Sequence, residues 1–157
     1  MIRIGHGYDA HPFVAGRRCV LAGVEVPSEV GPDGHSDGDV VLHALTDAIL
    51  GAAAQGDIGS VFGTTRPEWR DAPSSRFVEE ALRLAGAPSA VNVDVTVVGA
   101  RPRLADHRQA MRESVARLLS TGVENVSVKF SSGNGLGELG RGEGIAATVV
   151  ALFELGP

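Results

Sequence analysis

The seventeen residues from Gly34 to Leu50, GHSDGDVVLHALTDAIL, hold two histidines and three aspartates. A helix that only packs has no use for this density of titratable groups. Related chemistry starts earlier in the chain, at Asp9 and His11, two residues apart. On an extended strand both side chains point to one face, from which they can grip a cation together with a third donor. His43 is the best third donor. One carboxylate and two imidazoles suit Zn²⁺ or a similar ion, and three protein ligands leave a fourth position open, as in catalytic zinc sites. On spacing alone, a chance D-x-H pair and a packed helical histidine account for the same residues.

Three further clusters allow two accounts each. His35 and Ser36 stand at the expected helix N-terminus, where free N–H groups favour anions such as phosphate; a plain N-cap with an exposed neighbour explains them as well. Asp57, Ile58 and Gly59 set a carboxylate beside a glycine, which can hold a hydroxyl pair or simply cap a turn. Residues 131–144, SSGNGLGELGRGEG, combine hydroxyls, six glycines and Arg141. Such a loop can cradle phosphate through its N–H groups or serve as a mobile turn, and it lacks the Gly-Lys-Ser/Thr of a P-loop. Within the helix, Asp39, His43 and Asp47 are spaced by four, so Asp39 or Asp47 can orient the second ring nitrogen of His43. A solvated polar stripe is the alternative.

These groups need elements to hold them. Residues 2–8 alternate and predict a strand, and 18–27 a hairpin broken near Gly23. Ser36 followed by Asp39 fits a capping box that starts a helix over about 37–54, with Val41, Leu45, Ala48, Ile49 and Ala52 as its apolar stripe. Residues 56–74 read as a long Gly/Pro-rich loop. Helices are predicted over 75–86 and 105–120, and strands over 90–100, 125–132 and 144–155. The order β, β, α, α, β, α, β, β predicts a single α+β domain over 1–157, with a mixed or antiparallel sheet and helices on one face. In the last strand Val149, Ala151 and Phe153 alternate with Val150, Leu152 and Glu154, so both faces carry apolar groups. One face can pack on the helices and the other against neighbouring copies.

The chain length of 157 residues suits one compact domain. A net charge of −5 argues against a nucleic-acid surface. No apolar run reaches the roughly 18 residues of a membrane span, and the first residues, MIRIGHGYDAH, show no signal-peptide pattern. The lone Cys19 excludes an internal disulfide framework, and a reducing cytoplasm is the expected location.

Taken in order, Gly5-His-Gly-Tyr-Asp-Ala-His11, the block from Gly34 to Ala53, Gly56-Asp-Ile-Gly-Ser-Val-Phe62 and Gly140-Arg-Gly-Glu-Gly-Ile-Ala146 are one pattern. Over essentially its whole length the chain resembles the 2-C-methyl-D-erythritol 2,4-cyclodiphosphate synthases of the non-mevalonate isoprenoid pathway. The resemblance implies a CMP-releasing phosphorus–oxygen lyase acting on a CDP-linked methylerythritol 2-phosphate. It implies one Zn²⁺ per chain on Asp9, His11 and His43, with a substrate phosphate oxygen also bound there. His35 and Ser36 would position the attacking phosphate, and Asp57, Ile58 and Gly59 the methylerythritol portion. Ser131 and Ser132 would meet the transferring phosphoryl group, with His35 and Ser132 as catalytic residues. Arg141 would bind phosphate. The family is a homotrimer with active sites between subunits, so the stretch Gly99, Ala100, Arg101, Pro102, Arg103, Leu104 and Ala105 of a neighbour would grip the cytidine.

The chain departs from the family pattern at several places, among them Ser131 and Ser132 for threonines and Glu138 for an apolar residue, and two bear on its metals. Asn134 stands where the family has an acid that binds a second divalent ion, Mg²⁺ or Mn²⁺. The segment Gly63 to Pro67 lacks the family's carboxylates and carries Arg66, which can neutralise phosphate in place of a metal. Besides the synthase, two alternatives follow: a diverged paralogue that cyclises another nucleotide-linked polyol phosphate, and a non-catalytic zinc-containing trimer that only binds its ligand.

Overall fold

The computed structural model describes residues 1–63 and 66–156. Five strands form a mixed sheet in the order β4-β1-β7-β5-β6. They are β1 (Ile2–Ala15), β4 (Val30–Pro32), β5 (Ser89–Val98), β6 (Val126–Ser131) and β7 (Gly144–Glu154), with a separate hairpin of β2 (Cys19–Leu21) and β3 (Val24–Val26). Among the described residues β5 and β6 pair in parallel and the other neighbours in this sheet antiparallel. The helices are α1 (Val40–Ala52), α2 (Ile58–Phe62), α3 (Ser75–Leu84), α4 (Arg108–Leu118) and α5 (Gly137–Gly140). The α+β class and the mixed sheet are as the sequence predicts.

Strand β1 runs seven residues beyond the expected 2–8. Its second half gains partners that are remote in sequence: Asp9 pairs with Ala147, His11 with Ile145 and Phe13 with Pro32. Strand β4 has only three residues, too few to show alternation. The 56–74 segment is not all loop, since it contains α2 and a 3₁₀ turn at Pro67–Trp69. Thr64 and Thr65, inside the departing 63–67 segment, lie outside the described residues. The glycine-rich stretch likewise holds a 3₁₀ turn at Gly133–Gly135 and α5.

The two faces of the sheet differ. The inner face carries Val93, Val95 and Val97 of β5, Val126 and Val128 of β6, and Ile145, Ala147, Val149, Ala151 and Phe153 of β7, all buried. Helix α1 lies on it across β1 and β7 and is itself backed by α3. That double burial is why Val40, Leu42 and Leu50 are as buried as the expected stripe. On the outer face Ile4 is 70% exposed, Tyr8 56% and Val150 44%.

Candidate metal centre and active site

The G-x-G-x-D-x-H pattern has a steric meaning. Gly5, Gly7, Asp9 and His11 point from β1 to the inner face. A Cβ at Gly5 would run into the carbonyl oxygen of Ala48, and one at Gly7 into that of Ala44. The two glycines let α1 settle backbone-to-backbone on β1, and this brings His43 down to the two donors beyond them. Gly34 fits closely against the ring of His11: a Cβ there would stand 3.2 Å from Cε1, so the ring would have to give way by a few tenths of an ångström.

Asp9 Oδ2 lies 2.9 Å from His11 Nε2 and 3.0 Å from His43 Nδ1, and the two nitrogens are 3.4 Å apart. A tetrahedral Zn²⁺ with bonds of ~2.0–2.1 Å holds its donors roughly 3.3 Å apart. The triangle therefore fits a small cation, and Asp9, His11 and His43 can hold a metal ion. Burial alone would push the carboxyl of Asp9 up, but hydrogen bonds and charge from His11 and His43 outweigh it and bring it down to about 2. Burial likewise opposes the charged form of His43, and the Asp9 carboxylate overcomes this and raises it above its ordinary 6.5.

The helix begins later than predicted, which changes the roles of the acids around it. Asp39, not Ser36, is the N-cap. It accepts the N–H groups of Val41 and Leu42 at 3.1 and 3.0 Å, and those of Ala22 and Gly23 in the β2–β3 turn at 2.9 and 2.6 Å. Fully buried, it ties the helix start to the hairpin, and burial pushes it up to about 6. Asp47 accepts the N–H of Ile58 at 2.7 Å. Neither acid orients His43, as the i±4 spacing had suggested. The second nitrogen, Nε2, instead faces Ser36 Oγ at 2.8 Å and Ser74 Oγ at 2.9 Å. Ser74 in turn is held by Asp37. Asp37 lies before the helix, off its periodicity, and Ser74 comes from the far end of the 56–74 segment, so helical spacing could not find either.

A cavity of ≈ 190 Å³ opens over the triad. His35 and Ser36 reach it from the turn before α1, which Arg17 clamps by donating to the carbonyls of Gly34 and Ser36 at 2.9 and 2.6 Å. Ser36 is buried with its hydroxyl toward His43, whereas His35 is exposed. Ile58 and Gly59 line the cavity; Asp57 is exposed and caps α2 through Ser60 N–H at 2.7 Å. Trp69 and Phe77, in ring contact with Phe62, form an apolar wall, and Arg66 and Arg70 add two guanidinium groups. Sequence reasoning passed over Trp69 and Arg70, which lie in the segment read as loop. A larger cavity of ≈ 660 Å³ opens beside the β2–β3 hairpin, α3 and α4 and touches none of the three donors.

The remaining predicted residues form a second cluster at the same end of the sheet. Gly99 N–H donates to the Ser131 carbonyl at 2.9 Å, Ala100 N–H to that of Leu139 at 3.1 Å, and Arg101 Nε to that of Gly142 at 3.0 Å. Ala100, Arg103, Ala105, Ser131, Ser132 and Arg141 are exposed, Gly99 and Pro102 are half-buried and Leu104 is buried. Among the described residues none of this cluster lines the metal-side cavity. Arg141 pairs with Glu143 at 2.6 Å. Asn134, with φ of 51°, stands 3.3 Å through Oδ1 from Ser132 Oγ.

A mixed sheet carrying one buried helix, with an Asp-His-His triangle beneath a cavity, defines a candidate metal site on an α+β scaffold. The chain matches the YgbB family model over residues 2–154 and belongs to that family. It is 48% identical over 154 residues to the 2-C-methyl-D-erythritol 2,4-cyclodiphosphate synthase of Pelobacter propionicus (strain DSM 2379 / NBRC 103807 / OttBd1), covering 97% of this chain and 98% of that protein. A CDP-bound 2C-methyl-D-erythritol-2,4-cyclodiphosphate synthase superposes with a TM-score of 0.89 at 38% identity, covering 97% of this chain and all of that one. The bifunctional IspDF of Campylobacter jejuni superposes with a TM-score of 0.93 at 35% identity, and the chain spans 43% of its length.

Proposed function

We propose that this chain converts 4-CDP-2-C-methyl-D-erythritol 2-phosphate to 2-C-methyl-D-erythritol 2,4-cyclodiphosphate and CMP, as a phosphorus–oxygen lyase of the cytoplasm. The observation that carries this reading is the donor triangle under a cavity with basic side chains, in a chain that matches named synthases from end to end. An oxygen of the 2-phosphate bonds to the β-phosphorus. The bond from that phosphorus to the bridging oxygen breaks, and CMP leaves with the oxygen and its electron pair. No group beyond the substrate is consumed, so catalysis rests on proximity and charge neutralisation.

Zn²⁺ is the ion the donor set suits best; bound there, it would supply Lewis-acid charge to a phosphate oxygen. His35 is the exposed partner of the His35–Ser36 pair and positions the attacking phosphate, with Ser36 beneath it. Ile58 and Gly59 give close backbone approach to the methylerythritol portion, with Asp57 at its edge. Ser131, Ser132 and Arg141 meet the diphosphate, and residues 99–105 the cytidine. These last groups sit outside the metal-side cavity, which supports a site completed by a neighbouring copy. The exposed apolar outer face of the sheet supports the same homotrimer.

The second divalent ion of the family does not fit Asn134. An amide oxygen offers no charge, and hard cations in such sites depend on carboxylates. Arg66 and Arg70 instead bring fixed positive charge to the cavity rim. Among the described residues no helix is long and apolar enough to cross a membrane. The test is incubation of the zinc-loaded protein with the CDP-linked substrate, followed by ³¹P NMR. Stoichiometric CMP and cyclic diphosphate are expected; intact substrate with fully metallated trimer would overturn the assignment in favour of a paralogue with another substrate.

A further inference from the structure

We propose that Ser74 and Asp37 are positioning residues that fix the proton of His43 on Nε2 and so present Nδ1 to the metal. The inference rests on the metal reading above and extends it to two residues that touch neither metal nor substrate.

The argument is a count of protons. A neutral imidazole has one N–H and one acceptor nitrogen, and a ligating nitrogen must be the acceptor. In His43 the nitrogen facing Asp9 and His11 is Nδ1, so with an ion bound Nε2 must carry the proton, whereas without one Nδ1–H donates to the Asp9 carboxylate at 3.0 Å. Two hydroxyl oxygens lie within reach of Nε2, Ser36 Oγ at 2.8 Å and Ser74 Oγ at 2.9 Å. A hydroxyl can donate or accept, so proximity alone does not set the direction. Asp37 does. Its Oδ1 takes the Ser74 hydroxyl proton in a short hydrogen bond, and its Oδ2 accepts the Ser74 N–H at 3.0 Å. An ionised carboxylate only accepts. With its single proton committed to Asp37, Ser74 Oγ can only accept from His43. The chain Nε2–H to Ser74 to Asp37 therefore runs one way.

Ser36 lacks such a partner. Its oxygen lies 3.4 Å from Ser74 Oγ and accepts Gly38 N–H at 3.4 Å, neither of which fixes where its own proton points. Ser74 is fully buried, and its backbone is clamped by the same carboxylate that receives its hydroxyl. The arrangement is thus held by the junction between the turn before α1 and the start of α3, not by a mobile side chain.

Asp37→Asn discriminates the idea because it keeps the shape and changes the bookkeeping. An amide has one acceptor oxygen for two Ser74 protons. If that oxygen keeps the N–H, the NH₂ donates to Ser74 Oγ, and the hydroxyl proton turns towards Nε2. The relay then runs backwards and places the imidazole proton on Nδ1. Ser74→Ala removes the relay outright. The experiment compares the full-length parent with Asp37→Asn, Ser74→Ala and Ser36→Ala. Zinc affinity is read by chelator competition, and the hydrogen bond of the His43 Nε2–H in the zinc-loaded proteins by its ¹H shift and exchange with solvent in ¹H–¹⁵N NMR. The parent should show a downfield, slowly exchanging Nε2–H. Asp37→Asn and Ser74→Ala should bind zinc roughly 10–100-fold more weakly and show that proton moved upfield and exchanging faster, while Ser36→Ala keeps it as in the parent. Unchanged affinity together with an unchanged Nε2–H signal in both relay variants would overturn the proposal, and either variant alone suffices should the other fail to fold. A His43→Ala control that binds zinc as tightly as the parent would instead overturn the metal reading beneath it.

Discussion

Asp9, His11 and His43 are tied down inside one chain, whereas Ser131, Ser132 and Arg141 stand exposed at the same end of the sheet. The first group rests on a strand and a helix in backbone contact, with Asp9 Oδ2, His11 Nε2 and His43 Nδ1 facing one another. The second has a fixed backbone, through the hydrogen bonds of Gly99, Ala100 and Arg101, but side chains that face outward. Burial explains the contrast. A cation site needs convergent donors whose rotamers are locked by packing, while the groups that the proposed function sets against a diphosphate and a neighbouring copy have to stay accessible. On that proposal one half is complete in the monomer, and the other awaits partners.

The sharpest break between the halves is a pair of substitutions. His43→Ala should remove the metal and lower turnover by about 10³-fold, since the metal's charge stabilisation is worth several kcal/mol. Ser132→Ala should lower turnover by about 10²–10³-fold and leave the zinc content at one per chain. Atomic absorption beside a CMP-release assay reads both. Loss of zinc from Ser132→Ala would mean that the halves are not independent.

Gly7→Ala probes why the metal half is rigid. The new methyl would meet the carbonyl oxygen of Ala44, which belongs to a helix backbone and cannot rotate away. Helix α1 must then lift from β1, at a cost of about 3 kcal/mol, and His43 must lift with it. Urea unfolding and zinc titration should both register the change. A Gly16→Ala control, where the same methyl meets nothing within 4 Å, should keep full zinc affinity.

Asn134→Asp sharpens the open half. With φ of 51° the residue sits in the left-handed region that Asn and Asp both tolerate, so the exchange alters charge and not backbone. The new carboxylate should create Mg²⁺ or Mn²⁺ dependence and raise turnover by up to about 10²-fold. Strong Mg²⁺ dependence already present in the parent would show that the amide and substrate oxygens suffice.

The unequal construction of the halves also decided what could be read from sequence. The donors Asp9, His11 and His43 could be nominated from residue type and spacing, and the resemblance to the family is what set them above a chance D-x-H pair and a packed histidine. The length of β1 could not, since its second half is extended only by pairing with β7 and β4. Asp37 and Ser74 are 37 residues apart and meet only through the fold. The i±4 rule pointed to Asp39 and Asp47 because it assumed a helix from 37; Asp39 takes the cap instead, and the true partner of the relay lies just outside the helix. The clustering of 99–105 with 131–142 depends on β5 and β6 being parallel neighbours, which no local pattern encodes.

The smallest expected effect is a pH dependence confined to the metal half. In the metal-free protein the Asp9 carboxylate holds the His43 imidazolium above its ordinary 6.5. A folded value above the unfolded one stabilises the metal-free fold fully below pH 6.5, and that contribution is lost as pH rises through the folded value. The metal needs the opposite form, the deprotonated nitrogen. Below the folded value each ion bound must therefore expel at least the one proton of His43, and apparent zinc affinity should fall at least about tenfold for each pH unit of acidification there. Asp9 adds nothing to this slope, since with its carboxyl at about 2 it is already ionised throughout. The difference in melting temperature between zinc-loaded and chelator-treated protein should accordingly widen from pH 6 to pH 8. In the open half, the hydrogen bond and charge of Glu143 hold the Arg141 guanidinium above its ordinary value, so it stays charged across that range. A difference that stays flat with pH would separate His43 protonation from metal loading and remove it from the ligand set.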